Sequence, residues 1–284
     1  MIRFVDAHVH PPVPAFLSGP VAPYREGLVS FLERPLTEMD PASLAEFYRE
    51  RAGMAVLLGW DTETATRLRP FGNQDVAALV ATAPDVFVGM GAVDPIKGAR
   101  AVAEVHAAAR LGLKGISLHP IAQGFDPADR RNFLVWETAA QHDLICVFHT
   151  GFTRLGAGTA GGAGLRLEYG RPLGVDVVAA EFPELRIVVA HTGALWRDEV
   201  LHIAAHKANV SICLSGQRPQ LLDTRWLEAI VGPLARRVMF GSDFPFGSPD
   251  RWLAGWEELD LPVEATRRVL KDNALDLLRL DPAV

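Results

Sequence analysis

Residues 5–12 read VDAHVHPP. Two histidines, His8 and His10, stand one residue apart behind an apolar start, and two prolines follow at once. In an extended strand, residues i and i+2 point to one face with about 6.6 Å between their Cα atoms. Two imidazoles so placed can converge on one metal ion. The same parity predicts that Asp6 points to that face as well. Pro11 and Pro12 stop the strand, because proline cannot donate to a ladder. The rest of the chain decides between a metal-binding strand end and two polar residues at the edge of a core.

Working outward, eight short apolar runs punctuate the chain. They are 3–10 (RFVDAHVH), 54–60 (MAVLLGW), 86–95 (VFVGMGAVDP), 114–120 (KGISLHP), 144–151 (LICVFHTG), 186–193 (RIVVAHTG), 209–216 (NVSICLSG) and 237–245 (RVMFGSDFP). Each ends in a polar, glycine or proline signal. Helical patterns fall between them, over 40–53, 73–84, 98–112, 126–143, 174–183, 193–208, 223–234 and 261–280. The first opens on Asp40-Pro41, a pair suited to an N-cap and first turn. Strand alternating with helix eight times predicts an α/β chain folded as a (β/α)8 TIM barrel. The near-continuous apolarity of the strands fits burial on both faces. A doubly wound open sheet is the alternative. No charge run or low-complexity break divides residues 1–284, so a single domain is expected. Two βα connections are long, 11–39 after strand 1 and 151–173 after strand 5. Both leave the barrel face where active sites sit, and the second is rich in glycine, so both are expected to wall or cover a pocket.

Composition narrows the function. The chain has 284 residues, enough to bury a core without covalent staples. Its formal charge is −6 and it has no Lys/Arg-rich run, which argues against a nucleic-acid partner. Its two cysteines, Cys146 and Cys213, lie in apolar runs and read as buried thiols. No signal peptide precedes Phe4, and no apolar run reaches the roughly 20 residues a membrane span needs, so a cytoplasmic protein without a membrane partner is expected.

The polar residues at the strand ends form a set. Strand 1 ends with Asp6, His8 and His10, strand 4 with His119, strand 5 with His149, strand 6 with His191 and strand 8 with Asp243. In a barrel these ends converge on one mouth. One strand histidine is ordinarily a hydrogen-bonded core residue, but five with an aspartate at matching ends predict a metal site. By contrast His106, His142, His202 and His206 sit in helical patterns and read as surface residues.

VDAHVH, LHP, FHTG, AHTG and GSDFP, in this order, resemble the amidohydrolase superfamily. More narrowly they resemble the amidohydrolase-related branch that includes aminocarboxymuconate semialdehyde and γ-resorcylate decarboxylases, and the similarity runs from Val5 to 273–280. The resemblance implies one divalent metal ion, zinc or else manganese, on His8, His10, His149 and Asp243. It implies proton transfer by His191, with Asp243 assisting. His119 and Asp6 are candidates for contacting substrate or supporting the ligands, and Trp60, Phe152 and Trp196 for lining the pocket. Ser117 stands where relatives often have lysine, which favours one ion over two.

Two reactions use such a site. In hydrolysis, a metal-activated water attacks a carbonyl of a small substrate, which can be aromatic or carboxylated. In non-oxidative decarboxylation, a carbon is protonated and CO2 leaves. The chain is short for the branch's decarboxylases, so the expectation leans to a hydrolase, with a carboxy-lyase acting on an aromatic or unsaturated acid as alternative. A metal-free lactonase relative is a third reading, which the complete ligand set opposes. Decarboxylation needs an anchor for the substrate carboxylate, and arginine's fork suits it. Arg25, Arg34, Arg154 and Arg166 lie in the long loops and Arg49 and Arg51 on the first helix, each expected as a solvated charge before an anchor. A homodimer is implied by resemblance alone.

Overall fold

The structure is a computed structural model and describes residues 2–281, so Met1 and residues 282–284 of the expected domain lie outside it. Eight parallel strands hydrogen-bond in chain order: β1 (Phe4–Val9), β2 (Gly53–Leu58), β3 (Phe87–Ala92), β4 (Gly115–Leu118), β5 (Ile145–His149), β6 (Arg186–Ala190), β7 (Val210–Cys213) and β8 (Val238–Met239). Each overlaps one of the apolar runs. The sequential order rules out the doubly wound sheet, whose strand order reverses at a switch point. The two ends of the sheet meet. Ala7 N–H donates to Phe240 O at 3.0 Å, His10 N–H to Phe244 O at 2.8 Å, and Val9 forms a parallel bridge with Phe244. The fold is a (β/α)8 barrel.

Helices cover the barrel where the patterns predict them. The one at Pro41–Arg49 starts as expected: Asp40 caps it by accepting the Ser43 N–H at 2.9 Å, with Pro41 in the first turn. The stretch at 126–143 is helical only from Arg130, because Asp126 turns the chain by accepting the Ala128 N–H at 2.9 Å. The stretch at 261–280 is not one continuous α-helix. A π-helical turn over Arg268–Asp272 separates Val263–Arg267 from Asn273–Leu278. There the Val269 carbonyl accepts from Phe240 N–H at 2.8 Å, so the wider turn lets the helix bond the barrel wall. The connection over 11–39 carries helices at Pro14–Leu17 and Arg25–Leu32, and a further helix forms at Pro249–Glu257. The last has a readable start in Ser248-Pro249, and it buries Trp252 and Trp256 one turn apart. Among the described residues no helix is long and apolar enough to cross a membrane.

Two apolar layers hold the barrel. The inner one gathers Val5, Met54, Val56, Met90, Val147 and Met239, with Leu275 and Leu278 of the last helix packed among them. The outer layer lies between strands and helices and contains Phe4, Val9, Leu44, Tyr48 and Phe240. Cys146 and Cys213 are buried free thiols, and burial pushes Cys146 above the thiol range and Cys213 to about 12.

β1 departs from simple alternation, and the departure builds the site. Its register with β2 shifts between Asp6, opposite Ala55, and Val9, opposite Leu57, so one extra residue bulges on β1. Val5 faces the barrel interior before the bulge, yet Val9 packs in the outer layer after it. A bulge of this kind re-aims side chains. Asp6 therefore does not share a face with His8 and His10, contrary to the parity expectation. It turns outward, accepting the Tyr48 hydroxyl proton at 2.9 Å, the Ser242 N–H at 2.7 Å and the His8 N–H at 3.4 Å. Burial raises its carboxyl to about 6, against the lowering effect of those donors. Tyr48→Phe removes one donor from a fully buried carboxylate. It is expected to lower unfolding stability by about 1–3 kcal/mol; an unchanged denaturation midpoint would refute the role given to Asp6.

Candidate metal centre

His8 lies in β1, His10 directly follows it and Asp243 follows β8, all three buried. His8 Nε2 and His10 Nε2 lie 3.3 Å apart, and each lies close to Asp243 Oδ1, at 3.6 Å and 3.7 Å. Asp243 N–H donates to His8 O at 3.0 Å, so the backbone itself sets the carboxylate beside the rings. Donors about 2.0–2.1 Å from one tetrahedral ion would be roughly 3.3 Å apart. The three ligand atoms thus already have the spacing of a divalent-metal site. The Nδ1 atoms of both rings are buried without a hydrogen-bond partner. Burial holds His8 well below the usual imidazole range, with His10 adding to the effect. Burial likewise takes His10 down to about 4, over the opposing pull of Asp243. Neutral imidazole is the form that binds a metal.

His149 ends β5 and is not in this close group of three. Its Nδ1 meets His191 Nε2 at 2.9 Å, and its Nε2 is buried without a partner. His191 Nδ1 lies 2.9 Å from Ser215 O, a pure acceptor, so the ring proton sits on Nδ1 and Nε2 accepts from His149 Nδ1–H. His191 stands 5.0 Å from His8 between ring centroids, beside the three donors. His119 is fixed in the other tautomer. Ala122 N–H donates to its Nδ1 at 3.2 Å, leaving the proton on Nε2, which faces Thr153 Oγ1 at 3.5 Å. His119 stacks on His149 at 3.8 Å between centroids, and burial first, then the nearby His191 and His10, takes it to about 3.

The site is held in costly backbone conformations. His191 has φ 71° and Asp243 φ 60°, in the left-handed region. Such residues cost about 1–3 kcal/mol each and persist where the surroundings impose them, often at functional sites. Gly216, at φ +67°, closes the arrangement. A Cβ there would stand 2.8 Å from His191 Nδ1 and 3.4 Å from Asp243 Oδ2.

A cavity of about 410 Å³ opens above these groups, lined in part by His10, Trp60, His149, Phe152, His191 and Asp243. Trp60 packs 5.3 Å from His10 and 5.1 Å from His119 between ring centroids. Phe152 lines the cavity and stays partly exposed. Trp196 does not line it; it precedes the helix Arg197–His206 as its N-cap, outside the cavity wall. Asp6 supports the site through backbone N–H groups rather than through the histidine rings. Most of the arginines are engaged at the surface, Arg49 with Asp85 and Arg51 with Asp250, both at 2.8 Å. Arg34 donates to the carbonyls of Pro245 and Phe246 at 2.8 and 3.0 Å. Arg154 is the exception. It enters the cavity, with Nη1 3.3 Å from Asp243 Oδ2 and Nη2 donating to Gly216 O at 3.2 Å. Sequence reasoning passed over Arg218, which also lines the cavity; its signal was position, in the turn that follows strand 7.

A sequence model described as amidohydrolase matches residues 5–280. No curated protein matches the chain. Solved structures do. An uncharacterized TIM-barrel protein from Bordetella bronchiseptica is 22% identical with a TM-score of 0.75, covering 97% of this chain and 98% of its own. The 2,6-dihydroxybenzoate decarboxylase from Rhizobium is 16% identical with a TM-score of 0.71, covering 98% and 99%. A dihydroxybenzoic acid decarboxylase from Polaromonas sp. JS666, with bound manganese and the inhibitor 2-nitroresorcinol, is 18% identical with a TM-score of 0.68, covering 98% and 97%.

Gly216→Ala is expected to cost about 1–2 kcal/mol of stability from the left-handed backbone alone, and to weaken divalent-metal binding by pushing His191 and Asp243 apart. Calorimetry of both quantities at wild-type values would contradict the close packing described.

Proposed function

The chain belongs to the amidohydrolase family, and on that premise we propose that it is a metal-dependent carboxy-lyase releasing CO2 from a small aromatic or unsaturated carboxylic acid. The observation that carries the reading is Arg154, a half-buried cation whose Nη1 lies 3.3 Å from Asp243 Oδ2 inside the cavity. A decarboxylase requires an anchor for the carboxylate that leaves, and the guanidinium fork suits one. The similarity to barrels that include decarboxylases lends support. The chain's shortness, which inclined the sequence reading to hydrolysis, weighs less, because those barrels are covered over nearly their whole length.

His8, His10 and Asp243 would hold one divalent ion, with His149 Nε2, buried and unpartnered, available as a further nitrogen donor. Zinc suits this histidine-rich set, and manganese is the ion in the Polaromonas relative. When bound, the ion would supply Lewis-acid polarisation of a substrate oxygen. Arg154 would hold the carboxylate that leaves. Trp60 and Phe152 would flank the substrate ring, and His119 Nε2–H would donate to a substrate oxygen. His191, its Nδ1 proton committed to Ser215 O, would take up a second proton on Nε2 from solvent in the cavity and pass it to the ring carbon bearing the carboxylate, returning to neutral imidazole. The bond from that carbon to the carboxylate then breaks. Its electron pair returns to the ring, and CO2 departs without charge.

Carboxylated aromatics assayed for CO2 release, beside lactone, amide and ester panels, test the reading. CO2 release is expected. Turnover confined to lactones, amides or esters would contradict it. Arg154→Ala is expected to raise KM by roughly tenfold to a hundredfold, the worth of a charge-assisted hydrogen bond. His191→Ala is expected to keep the metal and lose about 10²–10⁴-fold in kcat; near-wild-type turnover would remove His191 from proton transfer.

A further inference from the structure

The cavity wall holds a second guanidinium that this chemistry leaves unused. Arg218, an exposed residue, lines the same cavity of about 410 Å³ as Arg154, and its guanidinium has no hydrogen-bond or ion-pair partner among the described residues. It stands in the turn after β7, two residues beyond Gly216, whose carbonyl accepts from Arg154. Cations from two different loops, one after β5 and one after β7, therefore face one cavity.

The charge balance of the wall is uneven. Besides its histidines, the charged side chains lining the cavity are Arg154, Arg218 and Asp243. Asp243 Oδ1 faces His8 and His10, in the group that would hold a divalent ion. Asp243 Oδ2 lies 3.3 Å from Arg154 Nη1, so the one carboxylate of the wall is shared between Arg154 and the group that would hold the ion, and the exposed Arg218 together with the residual charge of the ion has no counter-charge in the wall. A cleft with low-dielectric walls concentrates such a field on its ligand. Elsewhere on this surface arginines find carboxylates readily, as Arg171 does with Glu199 and Arg225 with Asp198. Trp60, Phe152 and Phe246 border the same space, and aromatic walls of this kind suit a flat ring.

We infer that the substrate is a dianion: a planar carboxylic acid whose second carboxylate is read by Arg218 while Arg154 holds the first. The inference rests on Arg154 as the carboxylate anchor. It is independent of whether CO2 is released.

Isothermal titration of the zinc-loaded protein with benzoate and with each of the three benzenedicarboxylates tests it without turnover. At least one dicarboxylate is expected to bind roughly tenfold or more tightly than benzoate, as an added charge-assisted hydrogen bond should give. Arg218→Ala is expected to remove that preference, weakening the dicarboxylate roughly tenfold or more and benzoate by much less. The inference is overturned if no isomer exceeds benzoate, if none of the four binds, or if the preference survives Arg218→Ala. A preference lost in Arg218→Ala, in a protein that releases CO2 from no carboxylated aromatic, upholds the dianion and sinks the carboxy-lyase. CO2 release from a monocarboxylate with no such preference does the reverse.

Discussion

One buried carboxylate holds together the two strand ends on which the metal centre depends. Asp6 accepts from Ser242 N–H, His8 N–H and the Tyr48 hydroxyl. These donors belong to the far end of the barrel, to β1 and to the helix Pro41–Arg49, so one side chain joins three parts of the fold. Each donor offsets part of the cost of burying a charge, which otherwise drives a carboxyl towards its neutral form. The consequence is positional. Ser242 precedes Asp243, and His8 is two residues beyond Asp6, so the same carboxylate that closes the barrel also sets the spacing of the ligand atoms.

The bulge in β1 and the left-handed backbone at His191 and Asp243 belong to the same arrangement. None of these features favours the fold locally. Together they turn two imidazoles and a carboxylate to within 3.7 Å of one another before any ion arrives. Rigidity of this kind lowers the reorganisation required for binding and catalysis. It is paid for by the apolar layers of the barrel, which have no part in the chemistry.

Much of this was legible in the sequence. Eight apolar runs with polar endings specify the barrel, because parallel strands buried on both faces leave only their ends for chemistry. The pairing of His8 with His10 and the arrival of Asp243 beside them followed from that topology. The side of β1 on which Asp6 stands did not. Parity is a local rule, and an inserted residue that no composition signals reverses it. Trp196 stands away from the cavity lining for a related reason: following a motif in sequence does not set the direction of a side chain where the chain is turning into a helix. Arg154 could be named from the loop after strand 5, but its approach to Asp243 depends on Gly216, from the turn after another strand. Arg218 lay in that same turn, and only the cavity reveals its relation to Arg154.

The central claim is that β1 and the turn after β8 form a ready divalent-metal site. Elemental analysis of protein purified without chelator, set beside the His8→Ala/His10→Ala double variant, addresses it most directly. About one zinc or manganese per chain is expected in the wild type, and none in a double variant that remains folded by circular dichroism. No ion after reconstitution, or equal content in both proteins, would mean that the three donor atoms meet for some purpose other than metal.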